Sequence, residues 1–318
     1  MFDLIVLAGP TGTGKTRTAI ALARRLGAEI VCADSRTVYR GLDIGTAKPT
    51  LRERAIVPHH LLDVADPGEP FTLADYQRLA GDAIESIRGR RRAVVLTGGT
   101  GLYLRAVVDR VAVPAAAPDW DLRRRLAAEE RAGGPGTLHG RLRQVDPVAA
   151  MRIHPRNVRR VIRALEVWTV TGMPVSSLQE QVREGRWAAG EGARPARMIA
   201  LTLDHARLNE RIDRRIASQL AAGLVDEVRT LLRAGYDRTL PAMQGLGYKE
   251  LAAYLEGEAT LDAAVAQLRR NTRRYAKRQW TWFRADPRYR WIDVDDEPAD
   301  GVASRVLEAL DAAGYPML

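Results

Sequence analysis

The sequence predicts an α/β fold, a parallel-sheet core interrupted by a helical insertion. Three observations point there. Short apolar runs alternate with helical stretches, a glycine-rich turn joins the first run to a helix, and residues 114–195 lose the strand pattern.

The elements follow in order. Residues 2–8, with Leu4-Ile5-Val6-Leu7, read as a short buried strand, and residues 15–26 as a helix. A second strand over 29–33 ends at Asp34-Ser35, and another over 92–97 ends at Gly98-Gly99. Residues 197–203 are expected to return to the same sheet, with 289–294 as a further strand. The insertion starts after Pro114-Ala-Ala-Ala-Pro118 and carries polar breaks at 133–136 and 185–195. The expected division is 1–113 with 196–318 as the core and 114–195 as the insertion. Beyond 204 the chain reads as mostly helical. Leu208, Ile212, Ile216, Leu220 and Leu224 recur every fourth residue, which predicts an apolar stripe on one long helix. His59-His60 lacks partners at metal-ligand spacing and reads as a structural or loop-packing pair.

With 318 residues the chain can bury a large core and form two lobes. Lys and Arg number 49 against 39 Asp and Glu, a net charge of +10, which favours polyanionic partners. The single cysteine, Cys32, excludes an intrachain disulfide and, among Ile30, Val31 and Ala33, reads as core packing. No apolar run reaches transmembrane length, and residues 1–3 ahead of Leu4 show no basic n-region or cleavage site, so no leader is expected. A cytoplasmic, monomeric protein without membrane association is expected.

Gly9-Pro-Thr-Gly-Thr-Gly-Lys-Thr16 fits G-x-x-x-x-G-K-[ST] between a strand and a helix, which makes the core P-loop NTPase-like. Gly9, Gly12 and Gly14 let the backbone N–H groups of the turn, including those of Thr11 and Thr13, converge on an anion at a helix N-terminus. Lys15 adds a point charge, and Thr16 offers a hydroxyl to Mg²⁺. A nucleotide hydrolase would also show an apolar strand ending in Asp beside Glu, but the strand over 92–97 ends in Thr-Gly-Gly. The acid at a comparable strand end is Asp34. Three roles are open to it: an indirect Mg²⁺ contact, a general base, or a helix N-cap.

Two segments are strongly basic. In Ile153-His-Pro-Arg-Asn-Val-Arg-Arg-Val-Ile-Arg, Pro155 is expected to start a helix. Arg159 and Arg163 then share a face beside Arg160, while Val158, Ile162 and Leu165 face inward. Over 268–284, Arg269, Arg273 and Lys277 form one i+4 row and Arg270, Arg274 and Arg278 another. Tyr275, Trp280, Trp282 and Phe283 are interleaved or just beyond. Such rows suit RNA phosphates, with aromatics that either stack on bases or anchor the helix. The bland alternative is a solvated charged face.

Eight blocks in order resemble one family, the tRNA dimethylallyltransferases. They are residues 9–16, 34–39, Gly41-Leu-Asp-Ile-Gly-Thr-Ala-Lys-Pro-Thr50, His59-His-Leu-Leu-Asp63, Gly98-Gly-Thr-Gly-Leu-Tyr103, 153–167, Gly247-Tyr-Lys-Glu250 and 272–284. The resemblance implies transfer of a dimethylallyl group from its diphosphate to N6 of adenosine 37 in the tRNA anticodon stem-loop, with Mg²⁺. It implies a donor loop over 11–16, catalytic roles for Asp34, Thr11 and Arg215, and Asp34 as the general base. The implied tRNA contacts are Asp34, Ser35, Arg36, Thr37, Thr100, Arg123, Arg159, Arg160, Val161, Ile162 and Arg163. Arg123 is one of three consecutive arginines. Thr37 and Arg159 stand where the family usually has glutamine. A small-molecule P-loop kinase would explain the loop and Asp34 but leave both basic segments without a role. A prenyltransferase of free adenine nucleotides would not need the insertion, and a purely RNA-binding protein would not need the loop.

Overall fold

The computed structural model describes residues 4–111, 118–177, 196–295 and 297–311. Residues 2–3 of the expected first strand, the 114–117 stretch and the 185–195 break lie outside them. The chain forms two compact units, Met1–Val108 with Arg194–Leu318, and Asp109–Ala193.

The larger unit is built on six parallel strands: β1 (Leu4–Ala8), β2 (Glu29–Cys32), β3 (His59–His60), β4 (Val94–Thr97), β5 (Ala196–Thr202) and β6 (Arg290–Asp293). Their order is β3-β2-β4-β1-β5-β6. The alternation of β1 splits its apolar side chains between two cores. Ile5 and Leu7 enter one core with α1 (Lys15–Leu26) and the C-terminal helix Ala299–Asp311. Leu4, Val6 and Ala8 enter the other with α3 (Leu73–Gly89) and α4 (Gly101–Val108); the short α2 (Leu51–Ile56) precedes them in the chain.

The smaller unit is helical: α5 (Trp120–Gly133), α6 (Thr137–Val145), α7 (Pro147–Arg152) and α8 (Val158–Thr171). They share an apolar core that includes Leu122, Leu126, Leu138, Leu142 and Leu165.

After β5 come α9 (His205–Ala221), α10 (Leu224–Arg233), a 3₁₀ turn (Ala242–Gln244), α11 (Tyr248–Leu255), α12 (Leu261–Arg284) and, beyond β6, α13 (Ala299–Asp311).

Of the two readings of His59-His60, the structural one holds: the pair is the edge strand of the sheet, and His60 hydrogen-bonds buried Glu29 at 2.7 Å. Two expectations need correction. The stripe from Leu208 to Leu224 does not lie on one helix, because α9 ends at Ala221 and left-handed Gly223 caps a new helix that Leu224 begins. Pro155 does not start α8, whose N-cap is Asn157; the proline sits in the break that follows α7.

Candidate active site

Parallel strands present their carboxyl ends on one edge, where ligands of α/β sheets bind. Three neighbouring strands do so here. β1 runs into the phosphate loop, β4 into the turn at 98–100, and β2 into Asp34. Glycine is required at two of these approaches. Gly9 has φ +142°, and a Cβ there would stand 2.5 Å from the Leu201 carbonyl oxygen. A Cβ on Gly98 would stand 2.0 Å from the Ala33 oxygen, just before Asp34.

The loop is set by internal bonds. The Thr13 hydroxyl donates to the Pro10 carbonyl at 2.9 Å, and Lys15 Nζ donates to the same oxygen at 2.7 Å. Burial, then the nearby Arg215 charge, pull the Lys15 ammonium down to about 7, against the opposing pull of Asp34. Burial likewise lowers Arg215, and Asp34 again opposes it. Asp34, Lys15 and Arg215 therefore form one electrostatic group, assembled from β2, α1 and α9.

A cleft of about 1320 Å³ opens beside the loop, lined among others by Lys15, Thr16, Lys48, Arg54, Arg214 and Arg215. Its lining carries seven Lys or Arg residues against four Asp or Glu, a net positive wall that suits a diphosphate or triphosphate. Asp34 acts on the charges of Lys15 and Arg215 without belonging to the cleft lining. Its Oδ1 accepts the Arg36 backbone N–H at 2.8 Å. The Ser35 N–H donates to the Thr100 hydroxyl at 3.0 Å, and Tyr275 of α12 hydrogen-bonds the same threonine. Arg36 reaches the Pro241 carbonyl, and buried Thr37 bonds back to the Asp34 carbonyl at 3.4 Å. The segment 34–37 and Thr100 are thus one hydrogen-bonded patch.

Sequence reasoning missed two parts of this site. Gln279 of α12 is buried and bridges the loop to the β4 turn: it accepts the Thr11 N–H at 2.9 Å and donates to the Gly99 carbonyl at 2.8 Å. Lys48, with its side chain almost fully buried, donates to the Tyr39 carbonyl, Asp43 and Asp63. The signal for Gln279 was an uncharged residue inside a run of cations. A lysine in an otherwise apolar and glycine-rich stretch was the signal for Lys48.

In the helical unit, Arg159 and Arg160 are exposed. Val161 and Ile162 are buried in the core, so their side chains serve packing. Buried Glu166 holds two expected contact residues at once. Its carboxylate pairs with Arg123 through two bonds of 2.8 Å and with Arg163 at 2.5 Å, and it accepts the Asp119 N–H. Burial alone would raise this carboxyl, but those donors outweigh it and hold it below the ordinary value. On α12, Arg269, Arg270, Arg273, Arg274, Lys277 and Arg278 are all exposed, while Phe283 is buried and Trp280 packs near His205, Trp291 and Arg284.

A parallel sheet, a phosphate loop at the end of its central strand and a net-positive cleft beside that loop define a P-loop protein built to hold a di- or triphosphate. The model of the IPP transferase family matches residues 37–286. A tRNA dimethylallyltransferase of Symbiobacterium thermophilum is 47% identical over 98% of this chain and 96% of its own. Another, of Desulforudis audaxviator, is 50% identical over 92% of each. Among solved structures, the full-length tRNA isopentenylpyrophosphate transferase of Bacillus halodurans superposes with a TM-score of 0.71 at 41% identity, covering 98% of this chain and 96% of that one. A eukaryotic dimethylallyltransferase described as acting on tRNA gives a TM-score of 0.80 at 25% identity over 100% of this chain and 81% of that one. The chain belongs to the tRNA dimethylallyltransferase family. Among the described residues no helix is long and apolar enough to cross a membrane.

Proposed function

We propose that this protein transfers the dimethylallyl group of dimethylallyl diphosphate to N6 of adenosine 37 in the anticodon stem-loop of tRNA, releasing diphosphate. The observation that carries the reading is the meeting of Lys15, at the start of α1, with Arg215 of α9 on the wall of one net-positive cleft, with Asp34 just past the end of β2 acting on both charges. Lys15, Arg215 and the backbone N–H groups of Gly12, Gly14, Lys15 and Thr16 neutralise the leaving diphosphate as its C–O bond to the allylic carbon breaks; the Thr11 N–H, expected to face the anion, is instead taken by Gln279. The new bond forms from that carbon to N6, and the Asp34 carboxylate takes the proton that N6 loses. Thr11, fixed through its N–H by Gln279, keeps the loop beside the reacting carbon.

The Thr16 hydroxyl, which lines the cleft directly after Lys15, supports a Mg²⁺ held beside the diphosphate. Thr16 and the diphosphate oxygens would hold it, and when bound it supplies further charge neutralisation. The target base must leave the loop stack. The patch Asp34, Ser35, Arg36, Thr37 and Thr100 receives it, while exposed Arg159 and Arg160 on the helical unit hold the backbone phosphates and Arg123 and Arg163, braced by Glu166, shape the surface beside them. We assign the active form as a cytoplasmic monomer, with the helical unit as the tRNA-holding domain. Mass spectrometry of adenosine 37 after incubating tRNA with the protein, Mg²⁺ and the donor tests the assignment. An unmodified adenosine 37 would refute it.

A further inference from the structure

Part of the cleft wall is the segment 43–48, which contributes Asp43, Ile44, Ala47 and Lys48. It belongs to no helix or strand. Two turn bonds inside it, from the Ala47 N–H to the Ile44 carbonyl and from the Lys48 N–H to the Asp43 carbonyl, give the turn its shape, and contacts from outside hold it against the rest of the unit. One carboxylate makes the most of these. Glu227 of α10 accepts the N–H groups of Asp43 at 3.1 Å, Ile44 at 2.7 Å and Gly45 at 3.1 Å. It also accepts the hydroxyl of fully buried Tyr248 at 2.6 Å. The turn is pressed against that ring: a Cβ on Gly45 would stand 2.5 Å from it. Gln219 donates to the carbonyls of Ile44 and Gly45 at 2.7 and 2.9 Å, and Lys48 fastens the far end. Between these fastenings Thr46 presents its carbonyl to Arg215 Nη2 at 3.1 Å.

Successive N–H groups that converge form an anion nest. Here the anion is a side chain of the protein, and the nest is the wall of the phosphate cleft. We propose that Glu227, seconded by Tyr248, is a positioning residue of the transfer reaction: it fixes the 43–48 turn whose Thr46 carbonyl aims Arg215 at the leaving diphosphate. The inference rests on the reading that this cleft holds a diphosphate. Glu227 acts only through the turn and Arg215. Its chemistry is demanding, because four donors meet two oxygens. A glutamine would offer one oxygen and turn an NH₂ against backbone N–H groups.

The test is calorimetry with inorganic diphosphate and Mg²⁺ on the full chain, with tRNA affinity and thermal unfolding measured beside it. Glu227→Gln should weaken diphosphate binding about tenfold, in the range of a lost charged hydrogen-bond set. The tRNA affinity should stay at the wild-type value. Arg215→Ala should also weaken diphosphate, and the double variant Glu227→Gln/Arg215→Ala should bind no more weakly than Arg215→Ala alone, since the two act in series. Wild-type diphosphate affinity in Glu227→Gln, or losses that multiply in the double variant, would overturn the proposal. If Glu227→Gln does not fold, Tyr248→Phe serves, since it keeps the three N–H bonds. A loss of about threefold, again absent when Arg215 is already alanine, is then expected, and unchanged affinity counts against the proposal. A wild-type protein that binds diphosphate but modifies no tRNA would refute the functional reading and leave this one standing on its own measurements.

Discussion

The side-chain oxygen of Gln279 accepts the backbone N–H of Thr11 at 2.9 Å, joining α12 to the phosphate loop across 268 positions of sequence. The same amide donates to Gly99, so one buried side chain sets the spacing between the ends of β1 and β4. α12 also carries Tyr275, bonded to Thr100, and the exposed cationic rows. The helix that carries exposed cationic rows on its outer face thus has its inner face on the phosphate loop.

Gln279→Leu should leave the Thr11 N–H and the Gly99 carbonyl unpaired in a buried place. A cost of about 1–3 kcal/mol in stability is expected, with slower transfer at saturating donor and tRNA affinity within about twofold. Chemical denaturation and single-turnover rates check this. Wild-type turnover would show that the loop holds its geometry without the bridge.

Lys15 makes donor binding pH-dependent. Its ammonium titrates at about 7 in the empty site, because burial and Arg215 disfavour its charge. A bound diphosphate favours that charge and so raises the value. Affinity should therefore be full below pH 7 and fall as pH rises from about 7 towards the raised value, with a proton taken up on binding at pH 8. Calorimetry in two buffers of different ionisation enthalpy reads the proton directly. Lys15→Ala should abolish the uptake and cut turnover sharply while leaving tRNA binding nearly intact. Normal transfer by Lys15→Ala would put the donor site elsewhere.

The phosphate loop was legible in the sequence because its function is local: eight consecutive residues specify the nest, and their order dictates the turn. The parallel strands were legible for the same reason, as continuous apolar runs. Glu227 and Gln279 were not. Each sets one polar group against backbone brought in by a distant segment, and nothing within ten residues of either signals the partner. Lys48 was missed for another reason: its partners Tyr39, Asp43 and Asp63 are near in sequence, but only the path of the folded loop turns them inward onto its ammonium. The break between α9 and α10 was missed because the apolar period of four continues through left-handed Gly223. β3 was missed because two residues carry no alternation to read.

The helical unit separates two kinds of arginine. Arg159 and Arg160 are exposed, and Arg159→Ala or Arg160→Ala should weaken tRNA binding and lower its salt slope by about one charge each, with donor affinity unchanged. Unchanged tRNA affinity across a salt series would make α8 a solvated face. Arg123→Ala should act differently, since it strips one partner from Glu166, whose side chain is 0% exposed. A loss of about 2–3 kcal/mol is expected, below that of a fully buried pair because Arg123 is partly exposed and Arg163 remains. The depressed Glu166 carboxyl contributes stability above the ordinary carboxylate value and loses it as pH falls through its own lower value. Arg123→Ala should therefore flatten the acid limb of unfolding, and an unaltered limb would count against this account.

Asp34 stands where two roles remain in competition. As a general base it takes the N6 proton during transfer. As a metal-side residue it would tune only the Mg²⁺ requirement. Asp34→Asn is the informative substitution, because an amide oxygen still accepts the Arg36 N–H that shapes the turn, while the carboxylate is gone. Asp34→Ala removes both. Both variants should fold, since Asp34 lies at a strand end and outside the apolar cores. As the base, its loss should slow single-turnover transfer by ~10²–10⁴-fold at saturating substrates, and to a similar degree in both variants. Removal of the negative charge beside Lys15 and Arg215 should leave diphosphate affinity unchanged or tighter, because Asp34 offsets their pull on the same anion. A metal role predicts the opposite pattern: slow transfer at low Mg²⁺ and near-complete rescue at high Mg²⁺. Single-turnover rates over a Mg²⁺ titration, with circular dichroism as the folding control, separate the two. Rescue by Mg²⁺ would remove Asp34 from the proton path and leave the acceptor for the N6 proton to be sought in the tRNA itself or in water.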